Sequence, residues 1–119
     1  MEITIYGETP SKKNSRINCR NGRSFPSKRY QEWHETAVAQ VICQTGKIEP
    51  LSKVHIFLKF YHGNMARRDS DNAVSSIFDL LKDCGIISDD NWKVIPHYLV
   101  FNAYDKNNPR VEIKIYDVS

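Results

Sequence analysis

Arg67-Arg68-Asp69-Ser70-Asp71-Asn72 runs without a break into Ala73-Val74-Ser75-Ser76-Ile77-Phe78-Asp79-Leu80-Leu81. Val74, Ile77, Phe78 and Leu81 keep helical spacing, and Gly85 supplies a stop. A helix is therefore predicted to begin at the acid pair. Its unpaired backbone N–H groups favour negative charge there. Either acid could serve as an N-cap. Two acids and Asn72 compete for that one role, so at least one is surplus. Neighbouring carboxylates repel unless a proton or a cation intervenes. Mg²⁺ binds through one or two carboxylates together with phosphate oxygens and water, so the pair suits that ion as well. Both readings stand at this level.

Working outward, Val54 to His62 alternates strongly, with Val54, Ile56, Leu58 and Phe60 facing one way, and predicts a strand before the helix. Further back, Ser27 caps a predicted helix to about Gln44, with Gly46 beyond its end. Tyr30, Trp33, Ala37 and Val41 form its stripe, with Trp33 as a core anchor and His34 as a partly buried helix residue. Residues 2–7 read as a short strand. Residues 8–26 are polar and punctuated by Pro10, Gly22 and Pro26, and are expected to be a loop.

Beyond the acidic helix, Gly85-Ile86-Ile87-Ser88-Asp89-Asp90-Asn91-Trp92 reads as a turn carrying a second acid pair. A strand is expected from about Trp92 to Tyr104, with Pro96 marking a bulge or an edge. Asp105-Lys106-Asn107-Asn108-Pro109 has the look of a hairpin loop, and Val111 to Tyr116 forms a last strand. Tyr61, Trp92 and Tyr98 are expected in core packing, although aromatics of this kind also stack on unpaired bases. Asp79 and Asp83 read as a helix surface pair. The order β-α-β-α-β-β predicts a single α+β domain over 1–119, a mixed sheet with helices packed on one face.

Composition narrows the function. The chain has 119 residues and a net charge of +3, with 40% apolar and 26% charged residues. No apolar run approaches the roughly 20 residues of a membrane span. Met1-Glu2-Ile3-Thr4 lacks the basic start and apolar block of a signal peptide. Cys19, Cys43 and Cys84 form no C-x-x-C pair and suit free thiols in a cytoplasmic protein. No Cys or His pair has zinc-ligand spacing. Lys12, Lys13, Arg16, Arg20, Arg23, Lys28 and Arg29 follow one another with no acid between them. Such a run is either a solvated loop or an arm that tracks phosphates.

Asp69-x-Asp71-Asn72, Phe78-Asp79-Leu80-Leu81 and Gly85-Ile86-Ile87-Ser88-Asp89-Asp90, taken in order, resemble the RusA-like Holliday junction resolvases. The opening Gly7-Glu8-Thr9-Pro10-Ser11-Lys12-Lys13-Asn14-Ser15-Arg16 resembles phage-borne members of that family. The resemblance implies a RusA-like fold with 8–26 as its basic DNA-binding loop. It also implies a small homodimeric endodeoxyribonuclease, phage-encoded or bacterial, using Mg²⁺ or Mn²⁺ to resolve four-way DNA junctions by paired symmetric nicks. Its metal-binding and catalytic acids match Asp69, Asp71 and Asp90, and Arg67 and Arg68 join the basic residues above as DNA contacts. The family places a lysine four residues after the second acid, where this chain has Ser75. Lys12, Lys13, Arg68 and Lys93 are candidates to replace its charge. The alternative reading is a branched-DNA binder with weak or no cleavage. A third is an unrelated D-x-D enzyme of nucleotides, disfavoured by the lack of a Gly-rich phosphate loop.

Geometry raises one expectation more. Asp69 and Gly85 bracket some 16 residues of mostly helix, on the order of 20 Å. Asp90 lies past the far end, so each site is expected to pool acids from both subunits of a two-fold dimer.

Overall fold

In the computed structural model, the residues described are 1–11, 16–18, 20, 22, 24–69 and 71–119, with backbone only at 16–18 and 24–26. The elements are β1 (Glu2–Tyr6), β2 (Arg16–Asn18), β3 (Ser24–Pro26), α1 (Lys28–Thr45), β4 (Val54–His62), α2 (Asn72–Asp83), β5 (His97–Tyr104) and β6 (Arg110–Asp117). Four strands form one sheet in the order β1-β6-β4-β5, and β2 pairs with β3 separately. β4 and β5 run parallel, while β6 is antiparallel to both β1 and β4. The architecture is the mixed α+β sheet that the alternation of elements predicts.

Period two decides which face of the sheet is covered. Ile56, Leu58 and Phe60 of β4, Ile3 and Ile5 of β1, and Val111, Ile113 and Ile115 of β6 are all buried. They form one core with Ala37 and Val41 of α1 and Val74, Ile77 and Leu81 of α2. Fully burying one such aliphatic chain contributes about 2 kcal/mol. Ser27 caps α1, its Oγ accepting the Tyr30 N–H at 3.1 Å. Trp33 packs partly buried against the core, and His34 Nε2 pairs with Asp83 across the helices at 2.9 Å. Burial first, then the charges of Asp79 and Asp83, push the Tyr30 hydroxyl pKa up to about 12.

Four expectations change. Residues 8–26 are not wholly irregular, because Arg16 to Asn18 and Ser24 to Pro26 pair as short antiparallel strands. β5 starts at His97 rather than Trp92. Pro96 has no N–H to give, and Asn91 holds the preceding residues in a turn, its Oδ1 accepting the N–H groups of Lys93 (2.9 Å) and Val94 (3.2 Å). Residues 105–109 are not a hairpin, since β4 lies between β5 and β6. The segment crosses the end of β4 instead. Its Asp105 N–H bonds to the His62 carbonyl at 2.9 Å. A Cβ on Gly63 would stand 2.7 Å from the Pro109 ring, so the crossing needs a glycine there. Finally, Trp92 and Tyr98 are exposed instead of packed in the core. Tyr98 touches Phe78 edge-on at 5.1 Å, and only Tyr61 fits the expectation in part, half-buried under the Arg110 guanidinium at 3.8 Å.

Candidate functional site

Asp71 occupies the N-cap position of α2 with φ −89° and ψ −15°, and its side chain makes no capping hydrogen bond. The backbone closes the turn by itself, the Ser75 N–H bonding to the Asp71 carbonyl at 3.3 Å and the Asn72 N–H to the Asp69 carbonyl at 3.4 Å. Capping therefore does not occupy the Asp71 carboxylate. Both Asp69 and Asp71 are exposed at the helix mouth.

Asp69 lines a cleft of about 770 Å³ with Arg29, Arg67, Arg68, His62, Asn102 and Glu8. Three arginines and two acids thus share the cleft lining. The chain segment carrying Arg67 to Asp69 is held in place by Glu8. One oxygen of Glu8, Oε1, accepts from Arg68 Nη2 at 2.8 Å and from the Gly63 N–H at 3.3 Å. The other, Oε2, lies 2.9 Å from His62 Nδ1, and His62 Nε2 meets Asn102 Oδ1 at 2.8 Å. Arg68 also donates to Asn64 Oδ1 at 2.7 Å and to the Ala66 carbonyl at 2.9 Å. Ser76, buried in the next turn of α2, donates from Oγ to the Pro10 carbonyl at 2.7 Å and ties the Glu8 strand end to the acidic helix.

The second acid pair divides its roles. Asp89 is the turn residue. Its Oδ1 accepts the Asp90 N–H at 2.8 Å and its Oδ2 the Asn91 Nδ2 at 3.1 Å. The Asp90 N–H, chiefly, holds the Asp89 carboxyl below its ordinary pKa. Asp90 is left exposed. It stands at the opposite end of the sheet from Asp69. The Ser88 N–H bonds to Leu51, just before β4 begins, whereas the cleft lies at His62, where β4 ends. The eight steps of β4 put these ends roughly 26 Å apart. Among the described residues, no three His, Cys, Asp or Glu side chains gather within this chain as a metal group.

Of the other sequence candidates, Arg29, Arg67 and Arg68 line the cleft. Lys28 is exposed and pairs at 3.7 Å with Glu32, and Arg20 is exposed. Lys12, Lys13 and Arg23 lie outside the described residues, as does the Arg16 side chain. Ser75 is half-buried on α2. Sequence reasoning missed Glu8, His62 and Asn102. One signal was available for Glu8, the single acid between Glu2 and Glu32 in a long basic segment.

No curated protein matches the chain. The family model of the endodeoxyribonuclease RusA matches residues 7–116, a span that takes in the Glu8 brace, the acid pair at the mouth of α2 and the Asp89–Asp90 turn. The chain therefore belongs to the RusA endodeoxyribonuclease family.

Proposed function

We propose that this protein is a Mg²⁺-dependent endonuclease that cuts four-way DNA junctions by paired, symmetric nicks as a two-fold dimer. The observation that carries the reading is an uncapped acid, Asp71, two residues along the chain from Asp69, which lines a cleft with Arg29, Arg67 and Arg68. Two exposed carboxylates are a donor set that fits Mg²⁺, which takes one or two carboxylates and fills its shell with water and phosphate oxygens. Asp69 and Asp71 would hold the ion, and the partner's Asp90 would complete the set, since this chain's own Asp90 is at the far end of β4. When bound, Mg²⁺ acidifies water and offsets charge building on the phosphate. Arg29 and Arg67 supply positive charge to seat the DNA backbone in the cleft. Glu8 fixes Arg68 and so orients the segment leading to Asp69.

Ser75 favours a second reading. It carries no charge at the position of the family lysine, and a protein lacking that charge binds junctions while cutting weakly. Mn²⁺ would serve in place of Mg²⁺ by the same oxygen chemistry. A labelled four-way junction incubated with Mg²⁺ separates the readings. Symmetric nicks abolished by Asp71→Asn support the nuclease. A gel shift without nicks in the wild type supports the binder. Mixing Asp71→Asn with Asp90→Asn tests shared sites, because their heterodimer would regain one intact site. No recovery at any ratio refutes the sharing.

A further inference from the structure

The last two inward positions of β4 are Phe60 and His62. Phe60 closes the core, whereas His62, one pleat further, reaches the cleft. The two rings lie parallel, 9° apart, with centroids 6.1 Å from each other. Asn102 is the register partner of Phe60 on β5, so it shares the helix-covered face and meets His62 on the diagonal. Asparagine is a poor strand former, and Asn102 is exposed on an edge strand, so packing does not explain it. It lines the same cleft as Arg29, Arg67 and Asp69.

Both nitrogens of the His62 ring are engaged, and only 14% of the side chain is exposed. Nδ1 meets Glu8 Oε2 at 2.9 Å and Nε2 meets Asn102 Oδ1 at 2.8 Å. A carboxylate and an amide oxygen only accept, so both ring nitrogens donate, and the ring in this geometry is the imidazolium. With Oδ1 turned to the ring, Asn102 presents its two Nδ2–H donors to the cleft.

We infer that Asn102 is a contact for DNA phosphate in this cleft and that His62 is the positioning residue that aims its amide. The inference rests on the proposed reading that the cleft seats the DNA backbone. When His62 releases its Nε2 proton to water, that nitrogen becomes an acceptor facing another acceptor. The exposed Asn102 amide then turns over, donating Nδ2–H to the ring and pointing Oδ1 outward. Phosphate oxygens accept only, so the cleft exchanges a donor for an acceptor against the backbone. Glu8 keeps the ring in place in both states through Nδ1–H. The charged groups around His62 are Glu8, Arg68 on the other Glu8 oxygen, and Arg29, Arg67 and Asp69 in the cleft lining. Asp105, whose N–H bonds the His62 carbonyl, is engaged by Arg110 at 2.9 Å, and Tyr104 stands opposite His62 in register. Of the cleft groups, histidine is the one whose type changes charge between about pH 5 and 8.

Nitrogen-15 NMR of the whole chain, without DNA or metal, tests the aiming step. The Asn102 Nδ2 resonances are expected to shift in step with His62 as its ring loses a proton. A ring that titrates while Asn102 stays still overturns the inference. Affinity for a labelled DNA duplex, without metal and at fixed salt, tests the contact. From about pH 6 to pH 8 the wild type is expected to lose about tenfold more affinity than Asn102→Ala. Asn102→Asp, which keeps an acceptor for the ring and has no donor for phosphate, should bind no better than the alanine protein at either pH. Equal losses in wild type and Asn102→Ala, or wild-type affinity in Asn102→Asp, overturn the inference. Junction cutting by a wild type whose affinity ignores Asn102 would end the inference and leave the nuclease reading. Asn102-dependent affinity in a protein that never cuts would do the reverse.

Discussion

Replacing Glu8 with alanine removes the anchor of the acid-bearing segment and leaves three partners behind. Arg68 loses a charge-assisted bond of 2.8 Å and His62 a contact of 2.9 Å, while the Gly63 N–H loses its acceptor at 3.3 Å. Breaking a fully buried pair costs about 3–5 kcal/mol. Here 22% of the Glu8 side chain and 28% of Arg68 are exposed, so water repays part of the loss. Hydrogen bonds to charged groups are worth about 1.5–3 kcal/mol, and a net destabilisation of about 2 kcal/mol follows. For a domain of this size that lowers Tm by roughly 8 °C. Glu8→Gln keeps an oxygen for Arg68 and loses the charge, so about half the effect is expected. Calorimetry of the three proteins, with Mn²⁺ binding followed by electron paramagnetic resonance, checks both consequences. The rescue order in metal affinity should be wild type, then glutamine, then alanine. If the alanine protein melts within 1 °C of the wild type, as a rough limit, and binds Mn²⁺ as well, Glu8 does not organise the site.

Other expectations follow from the same contacts. Gly63→Ala pushes a Cβ to 2.7 Å from the Pro109 ring, whose closure to the backbone leaves it little room to move. A loss of about 1–3 kcal/mol in urea unfolding is expected, and an unchanged midpoint would show that the crossover yields freely. Ser76→Ala strands the Pro10 carbonyl beside α2 and should cost about 1–2 kcal/mol by the same assay, with no loss meaning the tie is idle. Asp105 is held below its usual pKa of 3.8, first by the Arg110 hydrogen bond and also by the Asn107 and Asn108 N–H groups. A depressed carboxyl stabilises the fold above its unfolded pKa and loses that contribution as pH falls through the folded value. Thermal melts should therefore weaken below about pH 4, and less so in Asp105→Asn; identical acid profiles would contradict this. If about five phosphates are neutralised per subunit, the dimer's log–log salt slope is about −9. The triple change Lys12→Ala, Lys13→Ala, Arg16→Ala should remove about 5 of that, and an unaltered slope would exclude these residues from DNA binding.

Local periodicity was enough to find β4, α1, α2 and β6, because burial on one face writes itself into the spacing of Ile56, Leu58 and Phe60 or of Val74, Ile77 and Leu81. Gly7 to Arg16, the D-x-D-N stretch and the Asp89–Asp90 turn carry the family in the sequence alone. Strand order was not written there. Turn-forming residues at 105–109 signal a change of direction with or without a strand in between. What settles the matter is long-range pairing: the α2 crossover lays β5 parallel against one flank of β4, and β6 pairs antiparallel with the other.

The sequence by itself determined β1, β4, β6, the two helices and the family, since each depends on residues near one another in the chain. Only the tertiary structure decided that Glu8 would meet Arg68 and His62 more than 50 residues away, that Asp71 would make no capping bond, and that Asp90 would stand a sheet's length from its companions. Those facts arise from pairing between distant segments. The free energy of such pairing lies in the shared burial of both partners, and neither partner's local pattern contains it.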